Sequence, residues 1–158
     1  MESSGALLRP PLHRRVLIVE PDRALRAALA AAAGPFAFVD ACDSFEAASS
    51  RIREASYDLV VTNVRLQAYN GLHLVYLAKL LHSSTPAIVY DEQVDRGLAS
   101  EVHRACAFYE LAHRLPVALP RYIDATLPAE DRRDPSVFDR RKSPRGGRRL
   151  WDRRPASM

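Results

Sequence analysis

Short continuous apolar runs alternate along this chain with longer stretches whose apolar residues recur at three- and four-residue steps. Residues 15–20 (Arg15-Val16-Leu17-Ile18-Val19-Glu20) read as a strand buried on both faces. From Asp22 a helix is predicted, with Leu25, Ala28, Leu29 and Ala32 on one stripe and Gly34 as its stop. Residues 36–39 make a second strand, and Asp43 with Glu46 three residues later predicts a capping box opening a second helix striped by Phe45, Ala48 and Ile52. Residues 59–62 give a third strand. Residues 72–81 give a third helix, apolar around most of its surface and so expected to be well covered. Pro86 leads into a fourth strand at 87–90. A fourth helix spans 94–105 with Leu98 and Val102 facing inward and Gly97 weakening its start, and a fifth strand spans 107–111. Pro116 and Pro120 then interrupt the pattern, which predicts a short last helix over 120–127. Strand and helix alternate five times at short spacing. This predicts an α/β fold of flavodoxin-like type: a doubly wound five-stranded parallel sheet in the order 2-1-3-4-5, helices on both faces, and any site at the carboxyl ends of the strands.

Composition divides the chain. Of 158 residues nearly half are apolar, enough for one core plus extensions. Residues 121–158 carry 11 Arg/Lys against 6 Asp/Glu, and residues 1–120 carry 12 against 13. The basic charge therefore sits at the end, and it is arginine, because Lys79 and Lys142 are the only lysines. Residues 1–13 read as a flexible arm, 14–124 as the folded domain, and 125–158 as an Arg-rich tail too poor in large apolar residues to offset its ordering entropy, hence disordered. Asp-Arg-Arg recurs at 131–133, 139–141 and 152–154.

Other chemistries find little support. Cys42 and Cys106 fit no zinc spacing and read as small hydrophobes in a reducing compartment. His13, His73, His82 and His103 show no ligand pairing. There is no nucleophile elbow and no Gly-rich phosphate loop. Glu2 and the Arg9-Pro10-Pro11 break are unlike a secretory signal, and no apolar run approaches a membrane span. A cytoplasmic protein without membrane contact is expected.

Three segments carry a family resemblance. Asp58-Leu59-Val60-Val61-Thr62-Asn63-Val64-Arg65-Leu66, running on to Asn70-Gly71-Leu72, resembles the third strand and following loop of a bacterial response-regulator receiver domain, of the CheY-like superfamily. Leu17-Ile18-Val19-Glu20-Pro21-Asp22 is similar to the acidic end of its first strand, and Thr85-Pro86-Ala87-Ile88-Val89-Tyr90 to its fourth. The resemblance covers residues 14–124. It implies a phosphoacceptor aspartate, two or three carboxylates and a backbone carbonyl around Mg²⁺, a switch hydroxyl and a lysine. Here the acceptor position is Asn63, whose amide cannot form an acyl phosphate. The first acid is kept as Glu20, but the second falls on Pro21 and the hydroxyl on Asp91. His113 is the nearest candidate for the lysine, and the Arg65 carbonyl stands at the backbone ligand. Gln67 replaces the usual loop proline, and Gly71 fits a turn of positive φ. The resemblance therefore implies a degenerate receiver with no catalytic residues, no enzyme activity and no Mg²⁺ cofactor. Glu20 and Asp22 are expected to be solvated, with Asp22 near the start of the first helix.

The same resemblance places dimerisation and output contacts on the face made by the fourth helix, fifth strand and fifth helix. Tyr109 fits the aromatic position there, and Tyr90 lies near it. Both tyrosines read equally well as partly buried packing residues with hydroxyls at the edge. The tail, with Arg140, Arg141, Arg148, Arg149 and Trp151, is open to three readings: a solvated end, a binder of acidic protein, or a binder of nucleic acid. The expected function is an atypical receiver in two-component-type (phosphorelay) signalling that works without phosphorylation by contact with a signalling protein or a second copy. A regulator bound to nucleic acid through its tail is the alternative, and a phosphotransfer domain with another acceptor is a distant third.

Overall fold

The computed structural model describes residues 14–127. Strands β1 (Arg15–Val19), β2 (Phe38–Cys42), β3 (Leu59–Asn63), β6 (Ala87–Asp91) and β7 (Phe108–Leu111) form one parallel sheet in the order β2-β1-β3-β6-β7. The short strands β4 (Arg65–Leu66) and β5 (Tyr69–Asn70) pair separately as a hairpin. With that hairpin set aside, the order is the expected 2-1-3-4-5. The helices are α1 (Arg23–Ala33), α2 (Phe45–Glu54), α3 (Leu72–Leu81), α4 (Arg96–Arg104) and α5 (Leu115–Thr126).

Alternation along the central strands builds two cores. Leu17, Val19, Val60 and Val89 point to one face and pack with Ile52 of α2, Leu74 and Val75 of α3 and Val102 of α4. Val16, Ile18, Val61 and Ile88 point to the other and pack with Leu29 of α1 and Leu115, Leu119 and Ile123 of α5. Every residue of β3 and β6 is buried, as a strand covered on both faces requires.

Local differences from the sequence reading have local causes. Ser44 caps α2, its hydroxyl accepting from the Ala47 amide, and Asp43 is exposed rather than a capping-box partner of Glu46. The second strand starts at Phe38 because Phe36 and Ala37 still bond back to the Ala33 carbonyl. On α3, Tyr76 and Leu80 are exposed, so that helix is covered on one side only. The last helix begins at Leu115, not Pro120, and runs through the expected boundary at 124 to Thr126. Pro116 sits in the first turn, where an N–H has no helical partner anyway. Pro120 does cost a hydrogen bond, about 3 kcal/mol. Three fully buried side chains, Leu115, Leu119 and Ile123, return about 1.5–3 kcal/mol each and outweigh it. Gly34 does follow α1, but in right-handed helical conformation.

Candidate functional site

At the carboxyl ends of β1, β3 and β6 the chain assembles a closed polar cluster. Glu20 follows β1 and is 2 % exposed, against the expectation that it is solvated. Its carboxylate accepts three hydrogen bonds: from the Asp22 amide at 2.8 Å, from Asn63 Nδ2 at 2.9 Å and from the Tyr90 hydroxyl at 2.6 Å. Burying a carboxylate is tolerable only when donors replace water, and these three do so. Asp22 is exposed and caps α1, accepting from the Leu25 amide. Pro21 is half-buried; its carbonyl and that of Glu20 accept from the Arg26 guanidinium.

Asn63 ends β3 and uses both ends of its amide. Nδ2 donates to Glu20, and Oδ1 accepts from the Arg65 amide at 2.8 Å. The orientation is dictated by chemistry, since a carboxylate needs a donor and a backbone N–H needs an acceptor. An aspartate in this place would offer Glu20 no donor.

Asp91, at the end of β6, is 2 % exposed. Its carboxylate accepts from Arg65 Nε at 3.1 Å and from the Glu92 amide at 2.7 Å. The carboxylate in turn holds the Arg65 guanidinium above its ordinary pKa, through the hydrogen bond first and the charge second. Arg65 itself is largely exposed, so it lies across the mouth of the site as a cation supplied by the chain. The sequence reading gave Arg65 a role through its carbonyl only. Among the described residues, no three His, Cys, Asp or Glu side chains come together as a metal site.

The β4–β5 hairpin carries Arg65 into position. Gln67, in its two-residue connection, has φ 55, a value proline cannot adopt. Tyr69 stacks on Phe45 of α2 with centroids 4.3 Å apart, and Asn70 Oδ1 accepts from the Leu72 amide at the start of α3. Gly71 is indispensable, but not for positive φ: its φ is −57. A Cβ there would lie 2.1 Å from the Asn63 carbonyl oxygen.

The two tyrosines part company. Tyr90 is fully buried and turns its hydroxyl inward onto Glu20, so it belongs to the site rather than to a surface or an edge. Burial, then the bond to the Glu20 carboxylate, raise its phenol pKa far above the ordinary value, which keeps it a donor. Tyr109 is half-buried on β7; its hydroxyl donates to the Gln93 carbonyl and accepts from the Asp95 amide, both at 3.1 Å, tying β7 to the loop before α4. His113 follows Ala112, whose amide donates to the Asp91 carbonyl. Yet His113 is exposed, makes none of the cluster's hydrogen bonds, and lines a groove along α5 instead. Arg140, Arg141, Arg148, Arg149 and Trp151 lie outside the described residues. No helix among the described residues is long and apolar enough to cross a membrane.

No protein-family profile and no curated protein matches this sequence. Solved structures do resemble it. The BeF3-activated receiver domain of DrrB aligns with a TM-score of 0.68 at 18 % identity, over 73 % of this chain and 98 % of that one. The chemotaxis response regulator CheY4 of Vibrio cholerae aligns with a TM-score of 0.64 at 16 % identity, over 73 % and 99 %. A CheY-like receiver domain protein from Methanospirillum hungatei JF-1 gives 0.63 at 17 %, over 72 % and 96 %. Strand order, helix placement and these alignments agree: the chain has the fold of response-regulator receiver domains.

Proposed function

We propose that this chain is an atypical receiver module of two-component-type signalling, cytoplasmic and not an enzyme, which acts without phosphorylation by binding another protein. One observation carries the reading. The residue at the acceptor position is an amide whose two ends are already engaged, by Glu20 and by the Arg65 backbone. An amide is no nucleophile toward a phosphodonor. Around it, the buried carboxylates of Glu20 and Asp91 are matched by Tyr90, Asn63 and Arg65, so the strand ends are held together by the chain's own groups. Such a site supplies a fixed platform in place of a switched one. A nucleic-acid-binding regulator is the second reading, favoured by the concentration of arginine in residues 121–158.

The test is capture of partners from native lysate, with full-length chain and with residues 1–127, in the presence and absence of acetyl phosphate and Mg²⁺, before and after nuclease. A partner held by both proteins irrespective of phosphodonor supports the proposal. Capture that requires the donor contradicts it. Capture lost with the tail or with nuclease moves function to the second reading.

A further inference from the structure

α3 is the middle one of three helices that cover one face of the sheet. It joins β3 to β6, and α2 and α4 pack into the same core on either side of it. Its inner positions Leu74, Val75 and Ala78 are buried. Its outer side is apolar as well: Tyr76 is 50 % exposed, Leu80 83 % and Leu81 45 %. His73, Tyr76 and Leu80 follow one another at three- and four-residue steps, the spacing of a seam between paired helices. A helix at a protein surface ordinarily turns polar residues to water, and a helix apolar all round is one that is covered all round.

Charge selects what covers it. The outer stripe of α3 holds no Asp, Glu, Lys or Arg. The one charged residue of the helix, Lys79, is half-buried to the side, where its Nζ donates to the Cys106 carbonyl at 3.1 Å. By contrast α2 exposes Arg53 and Glu54, α4 exposes Glu101 and Arg104, and α5 exposes Arg121 and Asp124. Across a two-fold axis a patch meets its own copy, so a charge of either sign in it repels itself and an uncharged stripe does not. A different protein is steered and set in register by charged groups, and this stripe offers none. The charged neighbours on α2 and α4 then form the polar rim that interfaces carry around an apolar centre. The outer side of α1 is also uncharged, but it consists of alanines such as Ala24, Ala28 and Ala31, with little area to bury. The three large side chains of α3 offer on the order of 300 Å² per copy. A standard interface buries about 800 Å² per partner, so the pairing is weak and reversible.

We propose that two copies of this chain associate about a two-fold axis through the outer stripe of α3, with Tyr76 and Leu80 at the centre of the contact. This is not the face of the fourth helix, fifth strand and fifth helix on which the receiver resemblance places dimerisation. The contact does not depend on how the Asn63 site is read.

Sedimentation equilibrium of the full-length chain tests it, at concentrations from about 10 μM to about 1 mM. The average mass is expected to rise with concentration and to level off at twice that of the monomer. Leu80→Lys changes a side chain that is 83 % exposed, so the fold tolerates it, and it should hold the chain at monomer mass throughout. Val117→Lys, at a position on α5 that is 76 % exposed, should associate as the wild type does. Amide resonances of His73, Tyr76 and Leu80 should move with concentration in the wild type and stand still in Leu80→Lys. A wild type that stays at monomer mass over the whole range would leave the stripe to a different partner and overturn the proposal. Association that survives Leu80→Lys and is lost in Val117→Lys would move the contact to α5, again against it. Mass that climbs past the dimer without levelling off would mean a head-to-tail contact, such as α3 on the alanines of α1, and would overturn it too.

Discussion

Replacing Asn63 by aspartate restores the acceptor that the receiver resemblance implies, and the structure gives the cost. The substitution removes the donor 2.9 Å from Glu20 Oε2 and sets a second carboxylate in its place. Two charges at that separation repel by about 6 kcal/mol at an effective dielectric constant of about 20. Protonating an ordinary carboxylic acid at pH 7 costs only about 4 kcal/mol, and near pH 5 about 1 kcal/mol. The pair therefore takes up one proton and shares it, which also restores a hydrogen bond. The penalty for Asn63→Asp is capped at about 4 kcal/mol at pH 7 and falls to about 1 kcal/mol at pH 5. The sign follows from proton uptake: the folded variant holds a proton that its unfolded chain releases near pH 4, so it loses stability as pH rises from there. Urea unfolding of both proteins from pH 5 to pH 8 measures the difference. A flat difference below about 0.5 kcal/mol would refute the reasoning, because it would mean that Glu20 does not face this side chain in a buried setting. The variant is also expected to remain a poor phosphoryl acceptor, since Pro21 persists and Lys79, the only lysine among the described residues, is bound to the Cys106 carbonyl instead.

Three further outcomes follow from neighbouring residues. Tyr90→Phe deletes a donor to the buried Glu20 carboxylate and should cost about 1.5–3 kcal/mol in urea unfolding. Because the Tyr90 phenol is held protonated in the fold, the wild-type protein loses stability as pH rises past the ordinary phenol range near 10, and the variant should show a shallower loss. Gly71→Ala drives a Cβ to 2.1 Å from the Asn63 carbonyl and should cost at least about 3 kcal/mol, read as a fall in soluble yield and melting temperature. Thiol titration at pH 8 should find Cys106 fast and Cys42 slow, because Cys106 is exposed whereas burial raises the Cys42 pKa from 9.0 to about 11. Equal rates would contradict the burial.

Much of the fold was legible because the central strands are covered on both sides. A run such as Leu59-Val60-Val61-Thr62 has few alternatives, and the five alternations leave few topologies. What failed was local competition. Pro116 and Pro120 outweighed the apolar spacing of Leu115, Leu119 and Ile123 in the sequence reading, whereas tertiary burial outweighs the prolines in the molecule. The exposed side of α3, with Tyr76 and Leu80, was missed because its apolar residues mask the helical spacing: among its polar positions, His73 is exposed and lies on the same stripe as Tyr76 and Leu80. In the site, Glu20, Asn63 and Asp91 were picked out by the resemblance to receiver strand ends, and the structure places all three at those ends with Asn63 bonded to Glu20. Arg65 across Asp91 was not, because that ion pair spans 26 residues and depends on a hairpin at a non-glycine positive φ, Gln67. Nor was the inward turn of Tyr90, since its alternation in β6 selects a face but not the partner of its hydroxyl.

The most direct measurement on the central claim is amide NMR of the intact chain with Mg²⁺ added first and beryllofluoride second. A site already satisfied by Tyr90, Asn63 and Arg65 should leave the resonances of Asn63, Val64, Arg65 and Asp91 where they are. Saturable shifts of those four amides would show a pocket that still accepts the metal and the phosphoryl mimic, and would contradict the account.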